Sequence, residues 1–456
     1  MSLLSLFQTG RRSLRVLEAA IQTAGHNIAN AGTAGYSRQR LGLRADSLVT
    51  QGLHITAPRG AFAGSGVSVQ SFERIRDGLL DAAARDAWAD LGAANEEVRL
   101  GSALEGAFAV GTPGSLTESL SSFWNAWADA ADNPTDLGVR TVLQQRAASL
   151  ATTFQRLDSN LTELTGQTRE ALADGVGEVN ALTSQIAALN ERISAARASG
   201  TPDFAAEDAR DQAVQALAAF MPVRVQPGDD GAYTVTVQGM AVVQGTEALA
   251  LQHTGPPDAA TDTVQFGGTN VAFKPGDEGG GRLGGWLRTI NTHLPETRAS
   301  LDALAAQLVA DVNAAHAGGY GLDGGTGRSF FDPAGTTAAS LALSADVDDP
   351  AAIALAGAPD APGDASVALA LADLRGAFEE GAAGITASVG QRLQRASAGA
   401  LAADALVGHF EAMQAGVSGV SIDEEMTRLI EYQQAYAASA RVLTTAQSMF
   451  DTLLTL

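Results

Sequence analysis

Both ends of this chain carry an apolar rhythm that alternates steps of four and three. At the N-terminus it runs Leu3, Phe7, Gly10, Leu14, Leu17, Ile21, Ala24 and Ile28. At the C-terminus it runs Ile422, Met426, Leu429, Gln433, Tyr436, Ala440, Leu443, Gln447, Phe450 and Leu454. Such a rhythm is the seam of a coiled coil, and a seam demands a partner helix. Gly10 is the weak member, costing about 1 kcal/mol against Ala. Ser421 suits the N-cap of the last helix, with Glu424 at the capping-box position and Asp423 and Glu425 also in the first turn. Charge pairs the two ends. Residues 1–44 hold Arg11, Arg12, Arg15, Arg38, Arg40 and Arg44 against Glu18. Residues 411–456 hold Glu411, Asp423, Glu424, Glu425, Glu431 and Asp451 against Arg428 and Arg441. Opposite signs favour the mixed pair over self-association of either. Chain ends usually fray and single exposed helices are marginal in water. These ends are therefore expected to be mobile in the free subunit and ordered in an assembly. The competing expectation is two unrelated surface helices of a globular protein.

Between the first helix and the rest stands "HNIANAGTAGYSRQR", residues 26–40. Beside Asn27, Asn30 can cap the helix C-terminus, and Gly32 and Gly35 allow turns that a Cβ resists. Tyr36 is a rigid anchor with a polar tip. Arg38 and Arg40 are forked donors suited to carboxylates on a neighbour. The stretch is expected to be a helix stop, a turn and a sticky polar arm.

"NIANAGTAGYSRQR" resembles the Asn-Ile-Ala-Asn…Thr-x-Gly-Tyr motif of bacterial flagellar rod, hook and hook-associated proteins. The Tyr-Ser-Arg-Gln continuation at 36–39 is similar to the branch formed by the first hook-associated proteins, the FlgK family. "SGVSIDEEMTRLIEYQQAYAASARVLTTAQSMFDTLLTL" (418–456) resembles the end of that family closely. More loosely similar are 132–154, 281–290, 311–324 and 361–374, so the resemblance covers nearly the whole chain. It implies a structural subunit of the hook–filament junction, exported unfolded through the flagellar type III channel with no cleaved signal. It implies as partners the hook protein, the second hook-associated junction protein, further copies of the chain in a ring or tube, and an export chaperone (FlgN) on the C-terminal helix. It places residues 26–40 in the axial core, so the interface candidates are Leu3, Phe7, Leu14, Leu17, Ile21, Asn27, Ile28, Asn30, Gly35, Tyr36 and Arg38. Their C-terminal counterparts are Ile422, Met426, Leu429, Gln433, Tyr436, Leu443, Phe450 and Leu454.

The middle of the chain is helical from about 71 to 215. A second seam runs through Leu143, Ala147, Leu150, Phe154, Leu157, Leu161 and Leu164. It then takes consecutive four-steps through Thr168, Leu172 and Val176, which unwinds a left-handed supercoil locally. Gly166, Gly175 and Gly177 mark the same place as a break. Phe123, Trp124 and Trp127 are expected in a bundle core rather than on a sugar. Character changes near Met221, where strand alternation flanks Asp230-Gly231, a hairpin signal. Short strands then continue to about 276. "GGRLGG" (280–285) reads as a return hinge, and 318–366 as a second β-like or loop-rich lobe. The fold class is mainly α with inserted β. Four regions follow: an axial core domain of 1–60 with 411–456, a helical rod of 61–220 with 281–317 and 367–410, a β-domain at 221–280 and the lobe at 318–366. The β regions are expected to project from the end opposite the termini.

Composition limits the chemistry. The 456 residues contain no cysteine, so disulfides and thiolate chemistry are excluded. A net charge of −22 argues against nucleic acid and against an anionic membrane surface. No apolar stretch reaches transmembrane length. The first residues have the wrong order for a cleaved signal, which fits a cytoplasmic protein or one exported by another route. His26, His54, His253, His293, His316 and His409 make no two-histidine metal spacing and read as surface or capping residues. "GLDGGTGRSFF" lacks the lysine of a phosphate loop, and "DVDDP" lacks the spacing of a calcium loop. No catalytic residue, cofactor or metal site is assigned, and the chain reads as a non-enzyme. An enzyme such as a cell-wall hydrolase carried on the flagellum would need two convergent acids in a cleft. A hook protein or flagellin is the other alternative.

Overall fold

The computed structural model describes residues 3–45, 66–108, 114–255, 261–274, 276 and 280–454, the side chains of 3–5, 453 and 454 apart. The first and last helices, α1 (Leu3–Ala29) and α10 (Ile422–Leu454), pack against each other. They run antiparallel: Gly10 lies under Leu443, Ser13 meets Ser439 at 3.2 Å, and Asn27 meets Glu425 at 3.0 Å. After α1 the chain forms β1 (Gln39–Ala45), which pairs with β2 (Val67–Arg74) in an antiparallel ribbon.

The rod is built on α2 (Gly78–Phe108), α3 (Leu116–Asp132), α4 (Leu137–Ala198) and α5 (Phe204–Phe220). At 62 residues, α4 spans roughly 90 Å. Its seam is the one the sequence marks. Leu143, Ala147, Leu150, Phe154, Leu157, Leu161, Leu164, Thr168, Leu172, Val176 and Val179 are all buried. The helix does not break at its glycines. A Cβ on Gly175 would stand 2.3 Å from the Trp286 ring, so this glycine lets an indole lie on the helix. Phe123, Trp124 and Trp127 form the aromatic core, stacked on Phe330, Phe331 and Phe378. Ser115 and Asp136 cap α3 and α4 through their side chains.

Residues 224–266 form a four-stranded antiparallel sheet, β3 (Arg224–Pro227), β4 (Tyr233–Val237), β5 (Met240–Gln244) and β6 (Glu247–Ala248), followed by the hairpin β7 (Leu251–Thr254) and β8 (Thr263–Phe266). Gly231 takes φ +87° in the first turn, as the Asp-Gly signal requires. This sheet does not project at the end away from the termini. It lies along the C-terminal half of α4, where Asn180 bonds both the N–H and the C=O of Leu251 and Asn190 does the same for Tyr233. The reason is the apolar face of sheet and hairpin: Val235, Val237 and Val243 of the sheet and Phe266 of the hairpin belong to the same buried cluster as the α4 seam.

The return segment "GGRLGG" is no hinge. It opens α6 (Gly281–Arg288), whose Gly281 (φ +66°) and Gly285 sit against the backbones of Phe220 and Ala93. A π-helical turn at Thr289–His293 leads into α7 (Leu294–Ala317). Residues 318–366 are loop-rich with isolated bridges, not a second sheet. They pack on the N-terminal half of α4: Arg140 donates to the Ile353 carbonyl at 2.5 Å and Gln155 to that of Leu341 at 2.9 Å. Last come α8 (Ser366–Ala372) and α9 (Arg375–Ser418), which runs beside α2.

Candidate assembly site

The residues of "HNIANAGTAGYSRQR" fold onto their own chain. Asn30 donates to the His26 carbonyl at 2.9 Å and closes the helix end. Gly35 takes φ +75° and turns the chain back. The Tyr36 hydroxyl donates to the Asn27 amide oxygen at 2.7 Å, and the same oxygen accepts the Gln39 N–H at 3.0 Å. Asn27 is thereby buried and spends its remaining protons on the Gln39 carbonyl and on Glu425. Arg38 donates to Glu425 at 3.0 Å and to Glu424 at 3.3 Å, and Arg428 also reaches Glu425. The expected arm toward a neighbour is therefore a clasp within the subunit: Arg38 takes Glu424 and Glu425, and Arg40 takes Glu73. Burial, then the charges of Asp208 and Glu425, push the Tyr36 phenol up to about 12.

The seam candidates divide between two faces. On α1 the buried positions are Gly10, Val16, Ala20, Ala24 and Asn27, while Phe7, Leu14, Leu17, Ile21 and Ile28 are half-buried. On α10 the face toward α1 is Glu425, Leu429, Tyr432, Ser439, Leu443 and Ala446. Gln433 is exposed, and Ile422, Met426, Tyr436 and Phe450 keep 52%, 45%, 38% and 47% of their surface. Leu3 and Leu454 fall where side chains lie outside the described ones, as does the whole of His54. The contact between α1 and α10 is thus turned toward the small residues, which allow a close approach. It leaves a row of large apolar side chains, Ile422, Met426 and Ile430, uncovered beside that contact.

Two groups that the sequence reading passed over hold this region to the rod. Arg74, at the end of β2, reaches Glu207, Asp208 and Asp211 of α5, and Arg76 reaches Asp211 and Asp81. Burial works to lower the Arg74 pKa, but Asp211, Asp208 and Glu207 together raise it above its ordinary value. Among the histidines, His316 is no surface residue. It is fully buried, with Nδ1 at the Arg328 carbonyl and Nε2 accepting the Ala354 N–H, and burial lowers its pKa.

A groove of about 710 Å³ lies between α2, the π-turn and α9. Of the acids that line it, Glu97 is held by Arg288 at 2.6 Å and Glu296 by Arg392 at 2.7 Å, and Asp90 is the third. Among the described residues no group of three His, Asp or Glu could hold a metal ion, and no helix is long and apolar enough to cross a membrane.

A rod completed by a terminal helix pair with an uncovered apolar stripe defines a class: subunits whose surface is finished by neighbours. The chain belongs to the FlgK family. The model of the flagellar hook-associated protein FlgK helical domain matches residues 102–331, and that of the flagellar basal body rod FlgEFG protein C-terminal region matches 416–456. Flagellar hook-associated protein 1 of Bacillus subtilis is 26% identical, over 97% of this chain and 96% of its own length. Its Escherichia coli counterpart is 24% identical over 99% of each. The structure of the flagellar hook junction protein FlgK from Burkholderia pseudomallei is similar over 56% of this chain and 46% of that one, with 26% identity and a TM-score of 0.49.

Proposed function

We propose that the chain is a structural subunit of the flagellar hook–filament junction that assembles through its terminal helix pair. The observation that carries this reading is the uncovered row Ile422, Met426 and Ile430, at i, i+4 and i+8 of a helix that already packs on α1 through Glu425, Ser439 and Leu443. Burying apolar area of that size supplies the drive for docking, at roughly 25 cal/mol per Å². The half-buried Phe7, Leu14, Ile21 and Ile28 extend the surface onto α1. In this reading 1–60 with 411–456 forms the axial core, and the rod and both inserted regions stand outside it. The hook protein and the second junction protein are the axial neighbours, and copies of this chain complete a ring or tube. Before export through the type III channel, the α10 stripe is what a chaperone such as FlgN covers. The terminal helices become fully ordered on docking.

Electron microscopy of a strain lacking the gene, with an assay of flagellin in the medium, tests the placement. Complete hooks without filaments, and flagellin spilling into the medium, are expected. Normal filaments would overturn the reading, and loss of the hooks themselves would move the protein inward to the hook or rod.

A further inference from the structure

The terminal unit, α1, β1, β2 and α10, meets the rod in an unusual way. Among the described residues, neither of the two buried apolar clusters includes a residue of those four elements. What joins the two bodies is charge. Arg74 Nε lies 2.8 Å from Glu207, and its Nη1 lies 2.6 Å from Asp208 and 2.8 Å from Asp211. Those carboxylates occupy positions i, i+1 and i+4 of α5, on one face of the helix. Arg76 adds Asp211 at 2.6 Å and Asp81 at 2.9 Å, and Arg197 of α4 holds the other oxygen of Glu207 at 3.0 Å. Arg85, buried beside Asp81 and Asp211, leaves its Nε without a partner. The Ser37 N–H donates to Asp208, and the Gln212 amide donates to the Ala34 carbonyl. The chain crosses between the bodies twice, at residues 75–77 and at Gly419, whose extended backbone (φ −69°, ψ 157°) separates α9 from α10.

We propose that this cluster is an electrostatic latch, with a closed state in which Arg74 is seated on α5 and an open state in which the terminal unit tilts about residues 75–77 and Gly419. Among the described residues, opening uncovers neither apolar cluster, so burial of those clusters does not resist it. The ion pairs hold the latch shut. They are buried while it is shut, so salt acts by stabilising the charges once they are exposed. In a subunit that joins two different lattices, the latch lets docking set the tilt. That use rests on the junction reading; the latch itself does not.

The chain has no cysteine, so Ala173→Cys on α4 and Gln434→Cys on α10 of the full-length protein accept a dye pair for single-molecule energy transfer. One narrow peak is expected at low salt. It should be lost at about 1 M NaCl, where the Debye length is about 3 Å. Arg74→Gln should lose the narrow peak already at about 0.1 M. Arg375→Gln, which removes a pair with Glu379 at the end of α9 far from Gly419, should keep it. If Arg74→Gln loses helical circular dichroism, the salt series on the unmutated chain decides. A peak that ignores both salt and Arg74→Gln, or one that is broad at every salt, overturns the latch. Neither outcome bears on the gene-deletion phenotype, so the two readings fail separately.

Discussion

Glu425 receives donors from three segments: Asn27 of α1, Arg38 of the clasp and Arg428 of its own helix. Its side chain is almost fully buried, so Glu425→Ala takes an acceptor from two guanidiniums and an amide, although Arg38 keeps Glu424. Removing one partner of a buried pair costs about 3–5 kcal/mol. Thermal unfolding followed by circular dichroism should show the α1–α10 pair melting early, with Glu425→Gln milder. Tyr36 gives a pH test. Its folded pKa stands near 12 against an ordinary 10, so the folded form retains the proton longer than the unfolded one. Stability is therefore intact below pH 10 and falls as pH rises from about 10 toward 12. Tyr36→Phe should flatten that fall, and the late phenolate absorbance should vanish with it. The sequence displays Asn27, Tyr36 and Arg38 as a conspicuous motif, but not what they hold. Asn27 and Glu425 stand 398 positions apart, and an acid in a first helical turn already has a local reason to be there.

The elements separate what is legible from what is not. In α4 the four-and-three rhythm names the buried face correctly, because the helix has one apolar face and the rest is polar. In α1 and α10 the same rhythm finds the helices and their pairing but runs two faces together: Gly10, Ala24, Leu429 and Leu443 lie at the contact, and Ile422 and Met426 beside it are exposed. On α1 the contact is made by small residues, Gly10, Ser13, Ala20 and Ala24, and large side chains such as Leu443 reach it from α10. Side-chain size decides how near two helices come, and periodicity does not record it. Glycines in α4 show the same limit. Gly175 and Gly177 look alike in sequence, yet one faces the Trp286 indole and the other faces open space. Gly175→Ala should destabilise by about 1–3 kcal/mol through overpacking, despite the better helix propensity of Ala. Gly177→Ala should stabilise by about 0.5–1 kcal/mol. Melting temperatures of the two variants, moving in opposite directions, check both.

At the scale of the whole molecule, mainly-α architecture with an inserted sheet is readable from the switch of period near Met221. The placement of the insertions is not. Both pack on α4 through residues spread over the chain, as when Arg140 reaches the Ile353 carbonyl, and no local pattern encodes such a contact. The result is a rod with its core complete and a terminal helix pair with one side open. Ile422→Asp with Met426→Asp is the most direct test of that account, because both side chains are exposed in the subunit. Supplied to a strain lacking the gene, the double variant should appear in the medium, retain the circular dichroism of the unmutated protein, and fail to restore filaments. Normal filaments on those cells would contradict the claim that the open side of α10 is where the subunit joins its neighbours.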